Sequence, residues 1–199
     1  VVSDSRGDLD GQLAAALERV GQALRVQMWD AAKQHGLSPT QLQVLLRLAT
    51  DPPEHRRIGV LSDQLDVTHP TVSDAVAVLR RKGLVERERP GRRSPLALSR
   101  RGRTVARELA TWQERTRKQL SKLPADDKHG ALRILLDLIA GLQREGVITV
   151  ARMCVTCRFF RPNRHPATAA RPHHCALLDM PLADDELRLD CPEHEPRAA

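Results

Sequence analysis

Four cysteines stand in the last quarter of the chain and nowhere else: Cys154, Cys157, Cys175 and Cys191. The first two form C-x2-C, a spacing whose turn aims both sulfurs inward. Cys175 follows after 17 residues, and Cys191, just before Pro192, after 15 more. Thiolates at such spacings ligate zinc or iron–sulfur clusters. A 4Fe–4S cluster takes four cysteines, and single ligands far apart in sequence are normal for it. A zinc site can use the same four, or Cys154, Cys157, Cys191 and His194 with Cys175 left spare. We favour the cluster, with zinc as the alternative and free redox-active thiols behind both. Arg152, Arg158 and Arg161 flank the first pair and are expected to help keep thiolates deprotonated. His173 and His174 adjoin Cys175. Phe159 and Phe160, the two phenylalanines of the chain, can cover the site or supply a small core.

The surrounding segment cannot fold as helices do. From residue 151 onward it holds six of the thirteen prolines and shows no long helical period. Residues 150–199 therefore read as a loop-rich four-cysteine module that needs an inorganic core to order it. The first residues carry no apolar stretch behind a basic start, so no secretory signal is expected there. "ILLDLIAGL" is too short to span a bilayer. The expected location is the cytoplasm, where clustered cysteines bind metal rather than pair as disulfides.

The other three quarters are built for helices. Aromatic residues make up 2% of the chain, so the core must come from Leu, Val and Ala. Leu13, Leu17, Val20, Leu24 and Met28 recur at helical spacing over residues 9–35. Ser38 and Pro39 open a helix that Pro52 closes. A short helix through Leu61 and Leu65 breaks at Asp66-Val67. Thr68 and Pro70 start another, which Gly83 ends. Residues 84–89 alternate as a strand, Pro90-Gly91 turn, and Pro95 to Leu98 return, with Pro95 suited to an edge. Ser99 is expected to cap one long helix through Thr104, Leu109 and Leu120. After Pro124 a last helix, about 125–145, carries Leu132, Leu135, Leu136, Ile139 and Leu142 on one face. The fold class is mainly α with a small β-wing. Residues 1–36 are an N-terminal dimerisation helix, 37–102 a winged helix-turn-helix, 103–149 C-terminal dimerisation helices.

Charge points to the partner. Residues 80–107 hold eleven Lys and Arg against Glu86 and Glu88, whereas the whole chain carries a net +7. Two helices and a β-ribbon in that order place a helix in the major groove of double-stranded DNA. The candidate DNA contacts are Thr68, His69, Thr71, Ser73 and Asp74 on the second helix, with Arg80, Arg87, Arg89, Arg92 and Arg93. Arg92 and Arg93 fall at the wing tip, where guanidinium groups meet phosphate or the minor groove. No Gly-rich phosphate loop and no nucleophile elbow is present, which argues against an enzyme. A rival in which the tail recruits a protein partner predicts weak DNA binding with a small salt slope.

"LSDQLDVTHPTVSDAVAVLRRKGLVERERPGRRSPLALSRRG" resembles the MarR family of winged-helix transcription regulators. The likeness covers roughly residues 10–146. It rests on L-S-x-x-L-x-V, on T-V-S-x-A-V-x-x-L-R-R-K-G-L-V and on the exit R-R-x-x-x-x-L-S-x-x-G. It implies a homodimer on a palindromic operator, a repressor responding to a small-molecule effector or to oxidation, and no membrane association. Pro90 stands where the family's wing motif usually opens with Asp, which puts the usual wing salt bridge in doubt. The pattern C-x-x-C-R-F-F … H-C-A-L … D-C-P is similar to the small modules of high-potential iron–sulfur proteins and to small subunits of some glycyl-radical enzymes. That likeness implies an iron–sulfur cluster on the four cysteines. Attachment of the tail directly to the last dimerisation helix would let the module sense redox or iron status by shifting helix packing. The zinc alternative implies a structural clip, with sensing left to an organic-ligand pocket in the helical body.

Overall fold

The computed structural model describes residues 8–88, 94–148, 152–166 and 170–197. The helices run α1 Leu9–Gln34, α2 Pro39–Thr50, α3 Ile58–Leu65, α4 His69–Arg81, α5 Arg100–Leu109, α6 Glu114–Leu120 and α7 Ala125–Arg144. The strands are β1 Val85–Arg87, β2 Leu96–Leu98, β3 Phe160–Arg161, β4 His173–Cys175 and β5 Met180–Leu182. The chain divides into two compact units, Val1–Arg56 with Val72–Gln119, and Arg57–Thr71 with Leu120–Ala199. No helix among the described residues is long and apolar enough to cross a membrane.

In the first unit, α2 is the hub, touching α1, α5 and β2. Leu42, Val44, Leu45 and Leu48 bury its inner face. Its start is a full capping box: the Ser38 hydroxyl accepts from the Gln41 N–H at 3.2 Å, and Gln41 Oε1 accepts from the Ser38 N–H at 3.1 Å. On α4, Val72, Ala75, Val76 and Leu79 are buried. The helix ends at Gly83, whose φ of +68° lets the Leu84 N–H return to the Leu79 carbonyl at 2.9 Å. β1 and β2 pair antiparallel, Val85 opposite Leu98 and Arg87 opposite Leu96. The wing ribbon thus forms as the alternation predicts. Arg89, the Pro90-Gly91 turn, Arg92 and Arg93 lie outside the described residues.

The single helix expected from Ser99 to Leu120 is two helices. Ser99 does cap the first, accepting from the Gly102 N–H at 2.9 Å. The α-pattern then gives way at Ala110. The Trp112 N–H bonds to the Leu109 carbonyl at 3.1 Å, a tighter three-residue step, and the Thr111 hydroxyl takes the Glu108 carbonyl at 2.9 Å. A side chain that competes for backbone acceptors can end a helix with no Gly or Pro.

In the second unit, α3 ends on Asp66, which adopts the left-handed conformation at φ 50°. Pro124 precedes α7. The tail is a three-stranded antiparallel sheet in the order β3-β4-β5, with Phe160 opposite Cys175 and Cys175 opposite Met180. The tail packs on α7. Met153 and Leu136 are the buried centre of a cluster completed by Leu132, Ile139, Ala140, Val155 and Leu187. Part of the α7 stripe expected to face a second copy therefore faces the tail. This also places α7 in the tail's unit rather than with residues 103–119.

Candidate DNA-binding helix and four-cysteine cavity

Helix α4 presents a polar face opposite its buried one. His69, Thr71, Asp74 and Arg80 are exposed, as is Thr68 just before the helix, while Ser73 is half-buried. Thr68 and Thr71 share a hydroxyl–hydroxyl bond of 2.8 Å, and Thr68 Oγ1 accepts from the Thr71 N–H at 3.4 Å. Arg87 is half-buried, donates from Nη1 to the Ser94 carbonyl at 3.1 Å and ties the two sides of the wing. Arg56, which the sequence did not single out, also braces the wing. Arg56 lies 3.6 Å from the Glu88 carboxylate, and its carbonyl accepts from the Leu96 N–H at 2.8 Å.

A groove in the first unit runs between α2, β2 and α5. Leu48, Leu98 and Ala106 line it together with Arg56, Arg100, Arg103 and Arg107. Apolar walls beside four guanidinium groups suit an organic anion.

The tail brings Cys154, Cys157, Cys175 and Cys191 onto one cavity, which Phe159, Phe160, Leu177, Leu178, Leu182 and Glu193 complete. A tight turn at Cys154–Thr156, closed by the Cys157 N–H on the Cys154 carbonyl at 3.0 Å, sets the first two sulfurs. β4 supplies the third. The Cys191 N–H donates to the Arg152 carbonyl at 2.8 Å and so brings the fourth alongside. Among the described residues no three Cys, His, Asp or Glu side chains stand together as ligands for one metal ion. The sulfurs border a shared volume.

The three arginines expected to serve the thiolates are engaged elsewhere. Arg152 pairs with Asp190 at 2.5 Å and Arg158 with Glu195 at 2.6 Å. Arg158 also lies over the Phe159 ring, 4.6 Å from its centroid, and Arg161 donates to main-chain carbonyls of Arg158 and Phe160. The residue that reaches the sulfurs is Arg188, 34 positions from Cys154 but three before Cys191; the sequence expectation was drawn only from beside the C-x2-C pair. Burial pushes the Cys154 thiol above its ordinary range, with the neighbouring Cys175 and Cys157 adding to the effect and the Arg188 N–H opposing it. Cys191 is raised by burial and by its bond to Glu193. At Cys154 and Cys191 the surroundings thus favour the thiol, and a metal's charge would stabilise the thiolate.

The tail histidines each bond a neighbouring residue. His173 accepts the Asn163 N–H on Nδ1 at 3.2 Å, which leaves the proton on Nε2 to bond Asp184 at 2.7 Å. His174 lies between His165, at 3.3 Å, and Asp179, at 3.3 Å. His194 bonds Thr156 at 3.0 Å, and burial holds its imidazole below the ordinary range.

Part of the first unit and the start of α4 resemble known proteins. Residues 35–94 match the MarR family model. That segment is MarR-like. The MarR family protein Rv2887 of Mycobacterium tuberculosis is 27% identical, with a TM-score of 0.50 over 66% of this chain and 96% of that one. Its complex with p-aminosalicylic acid gives 28% identity and a TM-score of 0.50, covering 63% and 97%. A MarR family protein from Bacillus stearothermophilus shares the fold at 20% identity, TM-score 0.57, over 67% and 94%. No curated protein sequence matches the chain. The MarR-like order α2-α3-α4-β1-β2 is thus that of a winged helix-turn-helix.

Proposed function

We propose that this protein is a homodimeric, sequence-specific DNA-binding transcription regulator, a repressor, whose tail holds a 4Fe–4S cluster on Cys154, Cys157, Cys175 and Cys191. The MarR-like segment supports the regulator and argues against an enzyme. DNA binding is assigned to Thr68, His69, Thr71, Ser73, Asp74 and Arg80 from α4 and its approach, and to the wing arginines Arg89, Arg92 and Arg93. The helix enters the major groove, and the arginines neutralise phosphate. Uncovered apolar side chains on α1 (Leu13, Leu17, Val20) and on α7 (Ile134, Leu135, Leu138) support a second copy. A two-fold dimer reads a palindrome with half-sites about one helical turn, ~34–36 Å, apart.

The observation that carries the cluster is the shared cavity of all four sulfurs. A single tetrahedral ion needs its ligands at one point, whereas a cluster gives each cysteine its own iron and spreads the sulfurs around a volume. The aromatic and leucine lining suits a cluster kept from water. When bound, the cluster supplies one-electron chemistry and sensitivity to oxidant. The chain's own part is to hold the sulfurs, exclude water with Phe160 and Leu182, and dock the tail on α7 through Met153 and Leu187. Because Leu136 faces the tail and Leu135 the open side, a change in the tail can reach the dimer face of the same helix. The module is proposed to sense redox or iron status by this route. The arginine-lined groove favours an additional organic-anion effector. That effector, with structural zinc in the tail, is the second reading.

The test is duplex selection from a random library, followed by affinity measured against salt. Six or more phosphate contacts predict a log–log slope of about −5 or steeper. A shallow slope with no selected sequence makes the chain an interaction protein.

A further inference from the structure

Arg188 touches two of the four sulfurs. Its N–H donates to Cys154 Sγ at 3.2 Å, and its carbonyl accepts from the Cys154 N–H at 3.0 Å. Its Nη1 lies 3.7 Å from Cys191 Sγ and 3.1 Å from a Glu193 oxygen. Cys191 itself donates to the same Glu193 oxygen at 3.2 Å. That last bond needs a protonated thiol. As a metal ligand the Cys191 sulfur would be an acceptor, and the Arg188 guanidinium is the donor beside it.

The three arginines nearest the first cysteine pair are held by Asp190, Glu195 and main-chain carbonyls. Leu187, the preceding residue, packs into the cluster around Leu136 and Met153. Arg188 is therefore fixed from one side by α7 and aimed at the sulfurs on the other.

We propose that Arg188 is a positioning residue for the cluster: it orients Cys154 and Cys191 and places a positive charge beside the sulfur cage. This rests on the iron–sulfur reading above. Reduction adds one electron, and so one negative charge, to the cluster. A cation at the cysteine sulfurs and an N–H donor to one of them favour that more negative state. Both raise the reduction potential. They also oppose loss of ligated sulfur to water.

The experiment uses the full chain purified without oxygen, unsubstituted and as Arg188→Lys and Arg188→Met. Iron and sulfide are assayed first, then the midpoint potential by mediator titration and the rate of iron release to a chelator. Arg188→Met is expected to lower the potential and speed release several-fold, with Arg188→Lys recovering most of the potential. If Arg188→Met yields no loaded protein, Arg188→Gln, which keeps a donor and loses the charge, carries the same expectation. Iron and sulfide present with the potential unmoved in the variants overturns the role of Arg188 alone. No iron and sulfide in the unsubstituted chain overturns the cluster reading and this inference together.

Discussion

The carbonyl oxygen of Leu84 occupies the place a side chain would take on Gly102. The same carbonyl accepts from the Ser99 N–H at 3.1 Å, and the Ser99 hydroxyl donates to the Gly83 carbonyl at 2.7 Å. The start of α5 is thus clamped against the residues that link α4 to the first wing strand. Gly102 is a packing glycine, since its φ is unremarkable. Gly102→Ala is expected to cost at least about 1–3 kcal/mol through overpacking against backbone. Gly130→Ala, where a Cβ meets nothing, should gain up to ~1 kcal/mol from helix propensity. Urea unfolding of both variants checks the pair, and equal effects would refute the clamp.

Ser99 and Ser38 test capping. Ser38→Ala removes one half of a capping box and should cost about 1 kcal/mol. Ser99→Ala removes a cap and also leaves the Gly83 carbonyl without this donor, so its cost should approach ~2 kcal/mol. Denaturation midpoints at constant m-value decide the order.

Arg80 and Arg87 are both basic and seven residues apart, yet they should behave oppositely. Arg80 is exposed on the polar side of α4, so Arg80→Ala should flatten the salt dependence of DNA affinity by about one unit of slope. Arg87 ties Ser94 across the wing, so Arg87→Ala should lower stability first and leave the slope closer to that of the unsubstituted protein. Affinities at four or five salt concentrations separate them.

The two sides of α7 make a further prediction. Leu138 is 40% exposed and Leu136 3%. Leu138→Asp is expected to leave the fold intact and to dissociate the dimer at micromolar concentration, read by sedimentation. Met153→Ala opens the cluster under Leu136 and should cost about 2–5 kcal/mol, read as faster proteolysis within residues 152–166. A dimer that survives Leu138→Asp but not Met153→Ala would place the interface on the tail.

Much of the architecture is legible in the chain because its signals are local. Ser38-Pro39, Ser99 and Gly83 each satisfy or release helix-end groups, and each sits at the boundary it predicts. The β-wing follows from the alternation after Gly83. What escapes is long-range. Nothing at Ala110–Gln113 breaks a helix by type, and the interruption comes from Thr111 bonding the Glu108 carbonyl. The stripe of α7 is visible, but which side meets the tail depends on Met153 and Leu187. In the tail, the cysteine spacing picks out the four residues that come to line one cavity. Arg188, three residues before Cys191, was within reach of proximity, but the charge around the C-x2-C pair drew attention first, and Arg152, Arg158 and Arg161 there meet other acceptors. Asn163 and Asp179, both at φ near +50°, mark its turns and were the available signal for strands there.

The cluster assignment is tested most directly by metal content. The full chain and its Cys175→Ser variant are purified without oxygen and assayed for iron, sulfide and zinc, with visible spectra of each. The account predicts about four iron and four sulfide per unsubstituted chain, and loss of both with the spectrum in Cys175→Ser, since a 4Fe–4S cluster uses all four thiolates. About one zinc per chain, retained by Cys175→Ser through Cys154, Cys157, Cys191 and His194, would contradict it.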